Sequence, residues 1–255
     1  MTSTAIYPSL KDRVVLVTGG GSGIGESIVE HFCDQGSKVA FLDVKREASE
    51  ALLKRIADAG DPAPRFLLCD LTDIEALRAA IRTVEAELGP IRALVNNAAN
   101  DERHAIDSVT PEYWDERIAV NLKHQFFAAQ AAYPAMAEAG GGSIVNIGSV
   151  SWVIGQGGMP CYTTAKSAVT GLTRSLARDL GPKNIRVNTI LPGWIMTERQ
   201  VEMWLTPEGE AELMQRQCLK RKLEPADIAR VVLFFAADDS AACTNQAYIA
   251  DGGWV

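Results

Sequence analysis

Histidine and cysteine are scarce and scattered. The three histidines (His31, His104, His124) and five cysteines (Cys33, Cys69, Cys161, Cys218, Cys243) show no metal-ligand spacing. An odd set of unpaired thiols suits a reduced, cytoplasmic protein better than a disulfide framework. Basic residues are also in deficit: 25 Lys and Arg stand against 32 Asp and Glu, a formal net charge of −7. With no Lys/Arg run to neutralise phosphates, no nucleic-acid partner is expected. No apolar stretch approaches the roughly 18–20 uncharged residues of a membrane span. Met1–Leu10 has no charged region followed by an apolar core, so it does not read as a secretory leader. No Pro/Gly/Ser-rich linker divides the 255 residues, which predicts one large α/β domain.

What is present is alternation. Apolar runs at Arg13–Val17, Lys38–Leu42, Arg65–Cys69, Ile91–Val95, Gly142–Ile147, Ile185–Leu191 and Ala247–Ala250 read as strands. Helical periodicity fills Ile24–Gln35, Glu47–Ala59, Asp73–Leu88, Pro111–Ala139, Cys161–Leu180 and Ala226–Ala237. The strands show little period-two polarity, as expected of a parallel sheet covered by helices on both faces. Ligands of such sheets bind at the carboxyl ends of the strands. Gly19, Asp43, Asp70, Asn97, Ser149 and Pro192-Gly193 all fall there.

The first of those ends is a glycine-rich turn, Thr18-Gly19-Gly20-Gly21-Ser22-Gly23-Ile24-Gly25. Glycines between a strand and a helix let a pyrophosphate approach the backbone, where the helix N-terminus offers unpaired amides. A tight turn without a ligand is the plainer alternative. Asp43 ends the second strand, where an acid can accept hydrogen bonds from an adenosine ribose and repel a 2′-phosphate; it can also be an ordinary turn residue. Asp43 favours NAD, and the neighbouring Lys45 and Arg46 leave NADP open. Tyr162 and Lys166 lie four residues apart on one helix face. A phenol near pKa ~10 is a poor base at neutral pH unless a fixed positive charge favours the phenolate. Together the turn and the pair point to a cofactor-dependent oxidoreductase whose tyrosine moves the proton. Cys161, beside that tyrosine, reads as filler or as a functional thiol.

The ordered set of glycine turn, Asn96-Asn97-Ala98, Asn121, Ser149, Tyr162, Lys166 and Pro192-Gly193 resembles the short-chain dehydrogenase/reductase family over essentially the whole chain. The resemblance implies a Rossmann-type, doubly wound parallel sheet in three layers, forming a single domain. It implies that Tyr162 is the general base in oxidation, that Lys166 lowers the Tyr162 pKa and binds the nicotinamide ribose, and that Ser149 polarises the reacting oxygen. Asn121 would hold a water linking Lys166 to solvent. Gly19, Ser22, Gly23, Ile24 and Gly25 would cradle the pyrophosphate, Asp70 and Leu71 the adenine, and Asn97 the adenosine ribose. Pro192, Gly193, Ile195 and Thr197 would wrap the nicotinamide carboxamide. Ala99 departs from the family, which usually has glycine there. The resemblance also implies a homotetramer, with the Pro111–Ala139 and Cys161–Leu180 helices in one interface and the last strand in another. Ala128, Ala129, Ala131 and Ala132 are expected to allow close approach of a partner helix.

Segments outside the shared motifs resemble bacterial aldose 1-dehydrogenases of the D-xylose type: Ala5–Leu10, Asn100-Asp101 with Arg103-His104, Tyr113–Ile118, Thr206–Ala211 and Gln217–Lys220. These imply a pentose such as D-xylose or L-arabinose, oxidised at C1 to an aldonolactone, beneath a small lid around 194–220. Asn100, Trp152, Gln156 and Trp194 are the candidate sugar contacts beside Ser149 and Tyr162. The alternatives are another alcohol or keto substrate, such as a 3-oxoacyl thioester or a polyol, or a catalytically silent NAD sensor. Against the last, Tyr162, Lys166, Ser149 and Asn121 are all present.

Overall fold

The computed structural model describes residues 5–255. Residues 1–4, the start of the segment read as lacking a leader, lie outside the described residues. Seven strands take up the β-branched runs: β1 (Val14–Thr18), β2 (Lys38–Asp43), β3 (Arg65–Leu68), β4 (Ala93–Asn96), β5 (Gly142–Ile147), β6 (Ile185–Pro192) and β7 (Ala247–Ala250). They form one parallel sheet in the order β3-β2-β1-β4-β5-β6-β7. The missing period-two polarity has a direct cause. Val15 and Val17 enter one core and Val14 and Leu16 the other, so both faces of β1 need apolar residues.

The helices α1 (Gly23–Asp34), α2 (Arg46–Ala59) and α9 (Pro225–Ala236) cover one face. On the other face lie α3 (Ile74–Leu88), α5 (His124–Glu138) and α6 (Pro160–Leu180). From the neighbours β1 and β4 the chain winds outward in both directions, and a crevice opens above their carboxyl ends. This is the three-layer, doubly wound architecture expected.

The expected Pro111–Ala139 helix is not one regular helix. It starts as α4 (Pro111–Ile118), capped by Thr110, passes through a π-helical turn at Ala119–Lys123, and continues as α5. The extra residue per turn alters which side chains face inward afterwards. Ala128, Ala129 and Ala132 consequently lie in the protein's own core, and a partner-facing role for them is corrected. Residues 194–220 contain two further helices that periodicity did not reveal, α7 (Glu198–Met203) and α8 (Pro207–Arg216). Thr197 and Thr206 cap them, accepting from the Gln200 and Gly209 amides at 3.3 and 3.1 Å.

Candidate active site

One cleft of about 1550 Å³ runs along the carboxyl edge of the sheet, larger than the 300–1,000 Å³ usual for a single small ligand. Its cofactor end is built by the glycine turn. A Cβ on Gly25 would lie 1.8 Å from the Gly19 carbonyl oxygen, and Gly19 itself has φ +66°. Asn97 fastens this turn to β4: its amide donates to the Thr18 and Gly19 carbonyls at 3.1 and 2.9 Å. At Ser22, the N-cap of α1, no side chain takes up the first helical amides. They remain available to an anion. One Asp43 oxygen accepts from the Gly21 amide at 2.8 Å and the other from the Lys45 amide at 2.9 Å, so this carboxylate shapes the loop that it borders. Lys45 Nζ lies 3.4 Å from Ser22 Oγ. Close backbone, free helix amides and an acid at the strand end together fit a dinucleotide.

Ser22, Gly23, Ile24, Asp70 and Leu71 line the same end of the cleft. Asp70 Oδ1 accepts from both the backbone and the hydroxyl of Thr72. Pro192, Gly193, Ile195 and Thr197 line the middle. Gly193 is pressed against Asp251, where a Cβ would meet Asp251 Cα at 2.7 Å.

In the first turns of α6, Tyr162 and Lys166 meet the end of β5. Lys166 is 1% exposed, and its ammonium donates to the Ile147 carbonyl at 2.8 Å and lies over the Tyr162 ring, 5.7 Å from the centroid. Burial lowers its pKa to about 7, opposed by the negative charge of Asp101. Tyr162 keeps part of its ring open to the cleft while its phenol oxygen lies deep. Burial raises its pKa above the ordinary value and Asp101 raises it further, whereas a hydrogen bond from Ser149 pulls it down. Lys166 Nζ is held by the Ile147 carbonyl and lies over the Tyr162 ring. Ser149 Oγ also accepts from the Ser151 amide at 3.1 Å. His124, buried one turn beyond Asn121, is lowered to about 4 by burial and by the Lys166 charge. Burial raises the Cys161 thiol, which speaks for packing rather than nucleophilic chemistry there.

The Asn121 amide is already occupied. It donates to the Arg117 and Asn100 carbonyls at 2.9 and 3.1 Å and accepts from the Asn100 amide at 2.9 Å. Its side chain pins the loop after β4 and does not line the cleft. Any water held for Lys166 would have to use its backbone. Of the candidate sugar contacts, Asn100, Gln156 and Trp194 line the cleft and Trp152 does not. Trp152 ends the tight 3₁₀ turn Val150–Trp152, whose successive side chains point apart; Val150 and Ser151 face inward and the indole, 36% exposed, turns away. Asp101, Arg199 and Gln200 also border the cleft and were missed. The only available signal was Asp101 within the quoted Asn100-Asp101 pair, because its partners lie almost a hundred residues later.

A family profile described as Enoyl-(Acyl carrier protein) reductase matches residues 19–255. The chain is 53% identical over 247 residues to the probable galactose dehydrogenase of Rhizobium meliloti, covering 97% of this chain and 96% of that one. It is 49% identical over 252 residues to the D-xylose 1-dehydrogenase of Caulobacter vibrioides, covering 99% of both. A short-chain type dehydrogenase/reductase from Mycobacterium ulcerans has the same fold, with a TM-score of 0.91 at 28% identity, covering 96% of this chain and 90% of that one.

Proposed function

The chain belongs to the short-chain dehydrogenase/reductase family, and from this we propose that it is a sugar 1-dehydrogenase using NAD. It oxidises C1 of a pyranose aldose, a pentose such as D-xylose or L-arabinose, to an aldonolactone. The observation that carries this reading is near-complete coverage, at about half identity, by two relatives named for sugar oxidation. NAD, when bound, supplies the hydride acceptor. Gly19, Gly23 and Gly25 admit its pyrophosphate to the free amides of α1, and Asp43 takes the adenosine ribose. Lys45 makes NADP the alternative.

Tyr162 takes the C1 hydroxyl proton. Ser149 donates toward the phenol oxygen and favours its ionised form; with a sugar bound, that single proton turns to the sugar oxygen and orients it. Lys166, held under the tyrosine by Ile147, positions the ring and receives the nicotinamide ribose. A relay through Asn121 runs from its carbonyl, since its amide serves Asn100. Trp194 offers an aromatic face to the sugar ring, with Asn100 and Gln156 for its hydroxyls. The lid at 194–220 closes over this end.

We place the protein in the cytoplasm, on its five free cysteines. No described helix is long and apolar enough to cross a membrane. It assembles as a homotetramer. Ser167, Ala168, Gly171 and Ser175 give α6 an exposed face of small residues, and Tyr248 and Ile249 on β7 are 50% and 40% exposed. A monomer by light scattering at micromolar concentration would contradict this assembly.

The substrate is tested by NAD reduction over pentoses, hexoses, polyols and 3-hydroxyacyl thioesters, with hydroxamate trapping of the lactone. Turnover of an aldose with a trapped lactone is expected. If every aldose fails while a thioester or polyol turns over, the sugar reading falls. Glu208, Glu210 and Glu212 on the lid disfavour docking of an acidic acyl carrier.

A further inference from the structure

The loop Asn100–His104 joins three parts of the site that are distant in sequence. Asn100 is bonded to Asn121 in the π-turn through both its amide and its carbonyl. His104 reaches the start of α6, donating its amide to the Gly158 carbonyl at 2.8 Å and accepting from the Cys161 amide through Nε2 at 3.3 Å. Asp101 reaches the lid. One carboxylate oxygen accepts from Arg199 Nε at 3.1 Å and the other from Gln200 Nε2 at 2.5 Å. The Gln200 amide oxygen in turn accepts from Trp194 Nε1 at 2.9 Å. A second fastening lies alongside, where the Arg103 guanidinium stacks on the Trp204 ring at 4.4 Å.

We propose that Asp101 is a positioning residue that fastens the lid helix α7 and sets the charge over Tyr162 and Lys166, so that lid closure and proton transfer are coupled through one carboxylate. Asp101 borders the same cleft as Tyr162 and Lys166, and its negative charge favours the protonated form of each. Arg199 approaches the same carboxylate from the lid. With α7 seated, the guanidinium offsets the Asp101 charge and Tyr162 gives up its proton more readily. With α7 lifted, the bare carboxylate keeps the proton on the phenol. The charged and titratable groups in this arrangement are Asp101 from the loop, Lys166 from α6, Arg199 from α7, and His124 at the start of α5, whose protonation the Lys166 charge opposes. The base is therefore held back less with α7 seated than with α7 lifted.

The coupling rests on Tyr162 as the proton acceptor, but the fastening is testable without any substrate. Asp101→Asn and Arg199→Met alter side chains that are 22% and 42% exposed, so both variants are expected to fold. Hydrogen exchange of the α7 amides in the free protein should accelerate roughly five- to ten-fold in both, the scale of a lost charged hydrogen bond at a partly exposed site. Unchanged exchange in both overturns the fastening. The pH profile of kcat/KM for oxidation, read on whichever alcohol the wild type oxidises, should move in opposite directions. D101N removes the negative charge and shifts the rising limb to lower pH; R199M unmasks that charge and shifts it to higher pH. A merely structural role would move neither limb, and a common direction would overturn the coupling. If no aldose is turned over but these shifts appear on another alcohol, the sugar assignment fails and the coupling stands.

Discussion

Replacing Gly25 with alanine should abolish cofactor binding while leaving the chain folded. The added Cβ would sit 1.8 Å from the Gly19 carbonyl oxygen, 2.8 Å from its carbon and 2.5 Å from Asn97 Nδ2. An ordinary C···O approach is roughly 3.3 Å, so strand end and helix start must separate by about 1.5 Å. No flexible side chain can absorb that displacement, because the nearest atom is backbone. The same carbonyl accepts from Asn97, so the move also breaks the tie between the turn and β4. Lost hydrogen bonding and local strain should lower stability by about 1–3 kcal/mol, within what a domain of this size tolerates. Cofactor affinity should fall at least about 100-fold, because a site held 1.5 Å out of register loses the geometry on which its amides depend. NADH fluorescence titration measures the affinity and urea unfolding the stability. Gly157→Ala, at a position with nothing within 4 Å of the new methyl, serves as the control. If G25A bound NADH within about three-fold of wild type while G157A was also normal, the packing argument would be refuted.

Tyr162→Phe should fold and bind NAD yet lose roughly 10²–10⁴-fold in turnover, and retention of more than about a tenth of the rate would sink the proton-transfer role. In the wild type the raised Tyr162 pKa keeps the proton on at neutral pH, so kcat/KM for oxidation should climb with pH from neutral into the alkaline range; a flat profile would contradict this. Asp43→Ala should weaken both cofactors, because it frees the Gly21 and Lys45 amides, but should weaken NAD more than NADP. An unchanged ratio of kcat/KM for the two would leave Asp43 a turn residue only.

The strands were legible because a sheet covered on both faces demands continuous apolar runs, and Lys38–Asp43 and Gly142–Ile147 supply them. The residues proposed for cofactor binding and proton transfer stand out because they lie at strand ends or along one helix face, where short-range spacing carries meaning. Four features were not legible. The π-turn at Ala119–Lys123 has no local signature, since its register is set by packing around Asn121. The helices α7 and α8 are short and mostly exposed, so only their Thr197 and Thr206-Pro207 starts mark them in the sequence. The orientation of Trp152 and the reach of Asp101 to Arg199 depend on tertiary placement that no periodicity encodes.

The burial of Lys166 and His124 has a thermodynamic side. The unfolded chain would hold a proton on Lys166 up to its ordinary 10.5, whereas the folded chain releases it near 7. Between those values the unfolded state binds more protons, so stability rises with pH. His124 acts likewise between about 4 and 6.5. Above pH 10 the sign reverses: an unfolded Tyr162 ionises at its ordinary 10.0 while the folded phenol keeps its proton. Acid therefore destabilises the native state through Lys166 and His124, and strong alkali through Tyr162. Stability drawn from these groups peaks near pH 10, so the still more alkaline range that frees the Tyr162 phenol is where its burial begins to count against the fold.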